Sequence, residues 1–258
     1  MITSRRNPKI KQIRKLNTAS KYRTETGLFA VEGIRNLEEA QQSGIDPEWV
    51  IYTQDLDQRG MTLVENYQAG HVACEPVTTE VLEAASDTKT PQGVLGVFSL
   101  FSIPLPQSPN LLVILDSLRD PGNLGTLMRT CLAAEVDGLL LSPETVDPFS
   151  PKVVRAAMGA HFKLPIQAFD WSTILDLTQD VSLLLADMES QASLWETDLT
   201  KPLGIILGNE AHGPGDQARS LAAQSIHIPI SARVESLNVA AAGAVLLFEV
   251  RRQRRKIA

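Results

Sequence analysis

The chain has 258 residues, is 43% hydrophobic and carries a net charge of −6, the composition of a globular protein with one large domain or two small ones. Residues 239–248 lack any polar side chain, but ten residues are half of the ~20 that cross a bilayer, so they read as a core helix and not a membrane span. The opening MITSRRNPKIKQIRK has charge but no apolar core and is not read as a secretory signal; two distant cysteines and four scattered histidines argue for a reducing cytoplasm and against a metal site.

Charge is segregated along the chain. Residues 1–23 hold eight Lys/Arg and residues 251–258 hold five, with no acid in either, so the other eleven bases face all thirty acids and leave −19 on residues 24–250. One basic end reads as a solvated tail. Two, the first interleaved with Asn and Tyr22, point toward a polyanionic partner.

In chain order, the spacing of Ile34, Leu37 and Ala40 predicts a helix over 31–43, WVIYT (49–53) a strand, and VTTEVLEAAS a capped helix. GVLGVFSL reads as a buried strand that closes a first small domain. FSIPLPQSPN (101–110) has three prolines in ten residues and reads as an extended linker. LLVILD (111–116) is apolar without alternation, as in a strand covered on both faces. Leu124, Leu127, Met128, Cys131 and Leu132 then form a helical stripe. GLLLS (138–142), VSLLLAD (181–187), LGIILGN (203–209) and IHIPI (226–230) repeat the strand signal. Strands alternating with helical stretches predict an α/β domain with a parallel sheet.

In such sheets chemistry sits beyond the carboxyl ends of the strands. Three loops there are rich in Gly, Asn, Ser and Pro: DSLRDPGNLGTLMRT, LGNEAHGPG and PISARVESLN. In the first, Asn123 is placed to cap a helix, and Arg129 taken alone would merely face solvent. The second lacks the Lys-Ser/Thr of a phosphate loop, and Gly208, Gly213 and Gly215 miss the dinucleotide spacing; what remains is a glycine-rich turn offering backbone groups beside Glu210. In the third, Ser236 is expected to cap the apolar helix, which leaves Asn238 in need of its own partner. Ser150-Pro151 reads as a cap followed by proline at the first helical position. No nucleophile signature is present.

Taken together, PGNLGTLMR, DPFSPKVVRAAMGAHFKLPI, GNEAHG and IPISARVESLNVAAAGA resemble the SpoU (TrmH-like) family of RNA ribose 2′-O-methyltransferases, of the SPOUT superfamily. RRNPKIKQIRKLNTASKYRTETGLFAVEGIRNLEEA and TKTPQGVLGVF are similar to that family's N-terminal substrate-binding extension. The resemblance implies an RNA-binding domain over 1–100 with a ribosomal-protein-like α/β fold and a basic extension, a linker over 101–109, and a catalytic domain over 110–258. The catalytic domain would carry a C-terminal deep trefoil knot and form a homodimer. It implies S-adenosylmethionine (AdoMet) as cofactor, bound by Leu207, Gly208, Gly213, Ile228, Ile230, Ser236 and Leu237, with Asn123, Arg129, Glu210, Ser236 and Asn238 as the catalytic set and no metal. Ser150 matches a family serine. Ala157 stands where many relatives have Ser, and Ala211 and Ala232 where many have Gly. The substrate implied is RNA, ribosomal RNA first; transfer RNA, a non-catalytic RNA-binding relative, and a doubly wound nucleotide enzyme are the competing readings.

Overall fold

The protein is described from a computed structural model over residues 1–209 and 212–255. Its contacts divide it into two units: residues 1–101 with 147–162, and residues 102–146 with 163 onward.

The first unit starts with α1 (Pro8–Thr18), capped by Asn7, whose side chain accepts from Lys9 N at 2.9 Å, with Pro8 at the first helical position. Ile10, Ile13 and Leu16, one face of that helix, are fully buried. The basic N-terminus is therefore a folded helix and no frayed tail. Next come α2 (Ser20–Thr26), β1 (Leu28–Glu32), α3 (Ile34–Gln42), β2 (Trp49–Thr53), α4 (Gln58–Ala69), β3 (Ala73–Val77), α5 (Thr79–Ala85) and β4 (Val94–Ser99). The helix predicted over 31–43 starts at Ile34, because residues 28–32 form a strand ended by Gly33 at φ +98.

The four strands form a sheet in the order β1-β4-β2-β3, with β4 antiparallel to both neighbours and β2 parallel to β3. Alternate residues feed opposite faces. On one, α1 and α5 cover Ala30, Ile51, Leu95 and Val97. On the other, α3 and α4 cover Phe29, Val31, Val50, Val94 and Phe98, joined by Val154 and Phe162. Residues 147–162, which the sequence reading assigns to the catalytic domain, thus pack with the first unit. Arg23, one of the eight N-terminal cations, is buried and gives its Nε and Nη2 to Asp147 at 2.8 and 2.6 Å. It has a structural job.

The second unit begins with residues 102–110, which lie against its sheet: a Cβ added at Gly138 would sit 2.1 Å from Leu105 Cδ2. Then follow β5 (Leu111–Leu115), α6 (Pro121–Ala133) and β6 (Gly138–Leu141). The chain passes through α7 (Pro151–Ala157) of the first unit and returns as β7 (Ile166–Ala168), α8 (Trp171–Leu177), β8 (Ser182–Ala186), β9 (Leu203–Leu207), α9 (Asp216–Leu221), β10 (Gln224–Ile226) and α10 (Val239–Arg255). Ser150 holds the N-cap position of α7, yet its side chain makes no cap bond, and its Oγ is buried without a partner. The strand predicted at 226–230 ends at Ile226; Pro229 has no N–H to continue a ladder.

Six parallel strands run in the order β10-β8-β9-β5-β6-β7. β5 and β9 are buried at every residue, as expected for central strands covered on both faces. From β5 the chain builds outward through β6 and β7, then crosses to the other side of β5 as β8 and fills the gap between them as β9. That reversal is a topological switch point, where loops from neighbouring strands part and leave a crevice.

Candidate active site

The loops after β5 and β9 meet at this switch point. Asp116 follows β5 and is 4% exposed; its Oδ2 accepts from Gly215 N at 2.7 Å, and its Oδ1 from Ser117 Oγ at 3.2 Å. Ser117 sits at φ +55, a conformation unusual for a non-glycine residue. It is held by Ser142 Oγ, which accepts from its N–H at 3.0 Å, and by Asn209 Nδ2, which donates to its carbonyl at 2.7 Å. The loop after β9 closes on itself through paired backbone bonds between Asn209 and Gly213, at 3.1 and 2.9 Å. Gly208 is obligatory here: a Cβ would lie 2.4 Å from Pro214 N and 2.7 Å from Gly213 C.

The helices α6 and α10 lie side by side. Gly243 permits their approach, since a Cβ there would meet Leu127 Cδ2 of α6 at 2.5 Å and Leu207 Cδ1 at 3.1 Å. At their beginnings, Asn238 Nδ2 donates to Asn123 Oδ1 at 2.9 Å. At their ends, Arg251 donates to Ala133 O at 2.8 Å and pairs with Glu135. Joined start to start and end to end, they are parallel.

The caps differ from those the sequence suggested. Asp120, not Asn123, caps α6, accepting from Asn123 N at 2.8 Å. Asn238, not Ser236, caps α10: its Oδ1 accepts from Ala240 N at 2.9 Å and from Ala241 N at 3.3 Å. One amide therefore serves two ends. Its oxygen satisfies the helix donors while its nitrogen reaches Asn123.

Beside this pair lies a cavity of about 320 Å³, lined among others by Leu207, Gly208, Gly213, Ile228, Ser236 and Leu237. These are six of the seven residues expected to hold AdoMet; Ile230 does not line it. The cavity suits such a ligand. Glu189 brings a carboxylate, Asp187 is already paired with Arg219 in the same wall, and the wall includes His227, whose Nδ1 is buried without a partner. An orphaned buried nitrogen calls for a polar group to satisfy it.

Of the expected catalytic residues, Asn123 and Asn238 are brought into contact, and Ser236 is exposed at the cavity. Arg129 lies on the exposed side of α6 and does not line the cavity. Glu210, with Ala211, lies outside the described residues. Sequence reasoning missed Asp116, Asn209 and His227. An acid directly after a fully apolar strand was the available signal for Asp116; for His227 there was none.

Neither cysteine is a ready nucleophile. Burial pushes the Cys131 thiol up to about 12 and that of Cys74 up to about 11. Burial also pushes His161 down to about 4, while its Nε2 lies 2.7 Å from Pro148 O. Among the described residues no group of three or more His, Cys, Asp or Glu could hold a metal, and no helix is long and apolar enough to cross a membrane.

Comparison with known proteins bears on this arrangement. The profile of the SpoU rRNA methylase family matches residues 110–248, and that of the MRM3-like substrate binding domain matches residues 7–96. An uncharacterized tRNA/rRNA methyltransferase of Synechocystis sp. is 35% identical, covering 98% of this chain and 94% of that protein. The 23S rRNA (guanosine(2553)-2′-O)-methyltransferase RlmP of Bacillus subtilis is 30% identical over 97% of this chain and 98% of its own length. Among solved structures, an AdoMet-bound rRNA methyltransferase from Sinorhizobium meliloti superposes with a TM-score of 0.87 at 32% identity, covering 97% of each chain. With a family profile across more than half its length and relatives matched nearly end to end, the chain belongs to the SpoU rRNA methylase family.

Proposed function

We infer that the chain transfers the methyl group of AdoMet to a ribose 2′-hydroxyl of ribosomal RNA. The observation that carries this reading is the meeting of two polar helix mouths, joined by Asn123 and Asn238, beside a cavity walled by the loop after β9 and by residues 226–237. Bound AdoMet supplies an electrophilic methyl on a sulfonium centre. Backbone groups at Gly208, Gly213, Ile228 and Leu237 hold it, and Asp116 keeps that wall in place through Gly215.

At the rim, Asn123, Ser236 and Asn238 orient the ribose hydroxyl. Holding both reactants in line supplies about 7 kcal/mol or more of the barrier reduction. A guanidinium has no acceptor lone pair, which favours Arg129 as an electrostatic partner over a base. Its role is an electrostatic clamp on the developing alkoxide and the adjacent phosphate. The hydroxyl proton leaves to water, for Ser236 and Asn238 are exposed. The family resemblance gives Glu210, outside the described residues, the task of orienting Asn123, Arg129 or the cofactor loop.

The remaining organisation follows the same reading: a substrate-binding domain over 1–100, a linker over 101–109 and a catalytic domain over 110–258, of which residues 147–162 group with the first unit, in a cytoplasmic protein. The reading extends to a C-terminal trefoil knot, which the family resemblance implies. Exposed Phe248 and Leu132, 51% and 36% accessible, support a homodimer through the second unit. Labelled AdoMet and rRNA from cells lacking the gene test the function: one ribose methyl located by mass mapping is expected. Arg129→Ala should cut transfer by roughly 10²-fold with AdoMet affinity unchanged; full activity in that variant removes Arg129 from the chemistry.

A further inference from the structure

Two acids are buried among the described residues of the second unit, Asp116 and Glu249. Glu249 pairs with Arg252. Asp116, 4% exposed, has no cation beside it among the described residues, and a buried carboxyl left without one is costly to keep. An apolar residue of similar size would fill the same space without that cost. The reason for an acid at this position lies in the groups it joins.

The β5–β9 ladder makes its last bond at Asp116, whose N–H donates to Leu207 O at 2.9 Å. Past it, side chains hold the two loops together. From the β5 side, Asp116 Oδ2 crosses to the N–H of Gly215 at 2.7 Å. From the β9 side, Asn209 Nδ2 crosses to Ser117 O at 2.7 Å, while its Oδ1 accepts from His212 N at 3.2 Å inside its own turn. Ser117 stands between the crossings at φ +55, a conformation that a serine keeps only when its neighbours impose it. Its hydroxyl lies 3.2 Å from both Asp116 Oδ1 and Pro143 O and donates to one at a time.

The two ends of this strut serve different reactants. On the β9 side, the loop carries Gly208 and Gly213, which line the cofactor cavity. On the β5 side, Ser117 leads through fully buried Leu118 to Asp120, which caps α6 and seats Asn123 at the rim. Asp116 does not itself line the cavity, so it acts through what it holds.

We propose that Asp116 and Asn209 are positioning residues for methyl transfer: together they fix the distance between the loop that holds the cofactor and the helix start that orients the ribose hydroxyl. The assignment rests on the function inferred above. A group that only walls the cofactor shows its loss in AdoMet affinity. A strut between two reactants shows it in the rate of the filled complex, where a misplacement on the order of 1 Å costs about 10²-fold.

The test uses the full chain, labelled AdoMet and rRNA from cells lacking the gene, with folding followed by circular dichroism. In Asp116→Ala, kcat at saturating AdoMet and rRNA should fall about 10²-fold, while AdoMet affinity falls by less than about tenfold. Asp116→Asn keeps an oxygen for the Gly215 N–H and lets Ser117 Oγ donate to Pro143 O, so its kcat should recover to within about fivefold of wild type. A kcat within about threefold of wild type in Asp116→Ala, or a loss that saturating AdoMet removes, would overturn the assignment. Where Asp116→Ala does not fold, Asn209→Ala carries the same split, with kcat expected to fall about tenfold or more and the same results overturning it. A wild-type chain that binds AdoMet yet methylates no rRNA would overturn the rRNA reading, and this assignment with it.

Discussion

Two of the cavities among the described residues are built from different materials. The one at the switch point of the parallel sheet is framed on one side by packed main chain: Gly208 lies against Pro214, Asn209 and Gly213 bond each other, and Asp116 grips the N–H of Gly215. The one in the first unit is walled by side chains from distant stretches, Glu32, Leu56, Gln92 and Arg155 among them. A backbone wall tolerates almost no added atom, because its neighbours are main chain and cannot rotate away. A side-chain wall can be altered one group at a time. Substitutions should therefore act steeply in the second unit and by degrees in the first.

Gly208→Val is the harshest break of that contrast. Its first added carbon meets Pro214 main chain at 2.4 Å, so the loop must move and AdoMet binding should drop below detection by calorimetry. Circular dichroism and size should stay native. A folded Gly208→Val protein with unchanged affinity would show that the loop does not hold the cofactor.

Acid should single out the first unit. His161 is buried neutral, with its pKa pushed down from 6.5 to about 4 by burial. The unfolded chain binds the proton first, so stability is complete above pH 6.5 and falls as pH drops toward 4, by about 3 kcal/mol from this residue at most. Chemical denaturation at pH 7 and pH 4.5, compared with His161→Phe, measures it. An equal pH dependence in the variant would remove His161 as the cause.

The third test concerns caps. Asn238→Ala loses both the helix cap and the bond to Asn123 and should cost about 1 kcal/mol or more. Ser236→Ala caps nothing and should leave Tm within a degree while lowering methyl transfer. Equal losses of stability would show that the exposed serine carries structure as well.

The smallest effect is expected at the N-terminus. Deleting residues 1–23 would remove buried Ile10, Ile13 and Leu16 and unfold the first unit, so charge must be changed without truncation. Arg5, Arg6, Lys11 and Arg14 are exposed, and their replacement by Gln should lower the salt slope of RNA binding by ~0.7–0.9 for each phosphate they neutralise. An unchanged slope would assign these cations to solubility.

The same difference in material explains what the sequence disclosed. Backbone walls demand Gly, Asn and Pro at fixed places, so GNEAHG and the run through Ser236 to Asn238 stood out, and six of seven expected lining residues surround one cavity. The parallel sheet was visible because its central strands are apolar at every position. Caps were misassigned by a few residues, since Asp120 and Asn123, or Ser236 and Asn238, are equally able acceptors and only geometry decides between them. The first unit was harder to read. α4 and β3 have weak patterns, and the wall joining Gly33 to Gln92 depends on an approach between residues 59 positions apart, which no local spacing records.

The parallel pairing of α6 and α10 has an electrical consequence. Antiparallel neighbours cancel their peptide dipoles, whereas parallel ones add them. Both helices start at the Asn123–Asn238 bond, and each start carries roughly half an elementary positive charge. Together they place about one positive charge, made only of oriented amides, at the spot proposed above for the reacting ribose oxygen. That field titrates with no proton, and no side-chain substitution removes it without unwinding a helix.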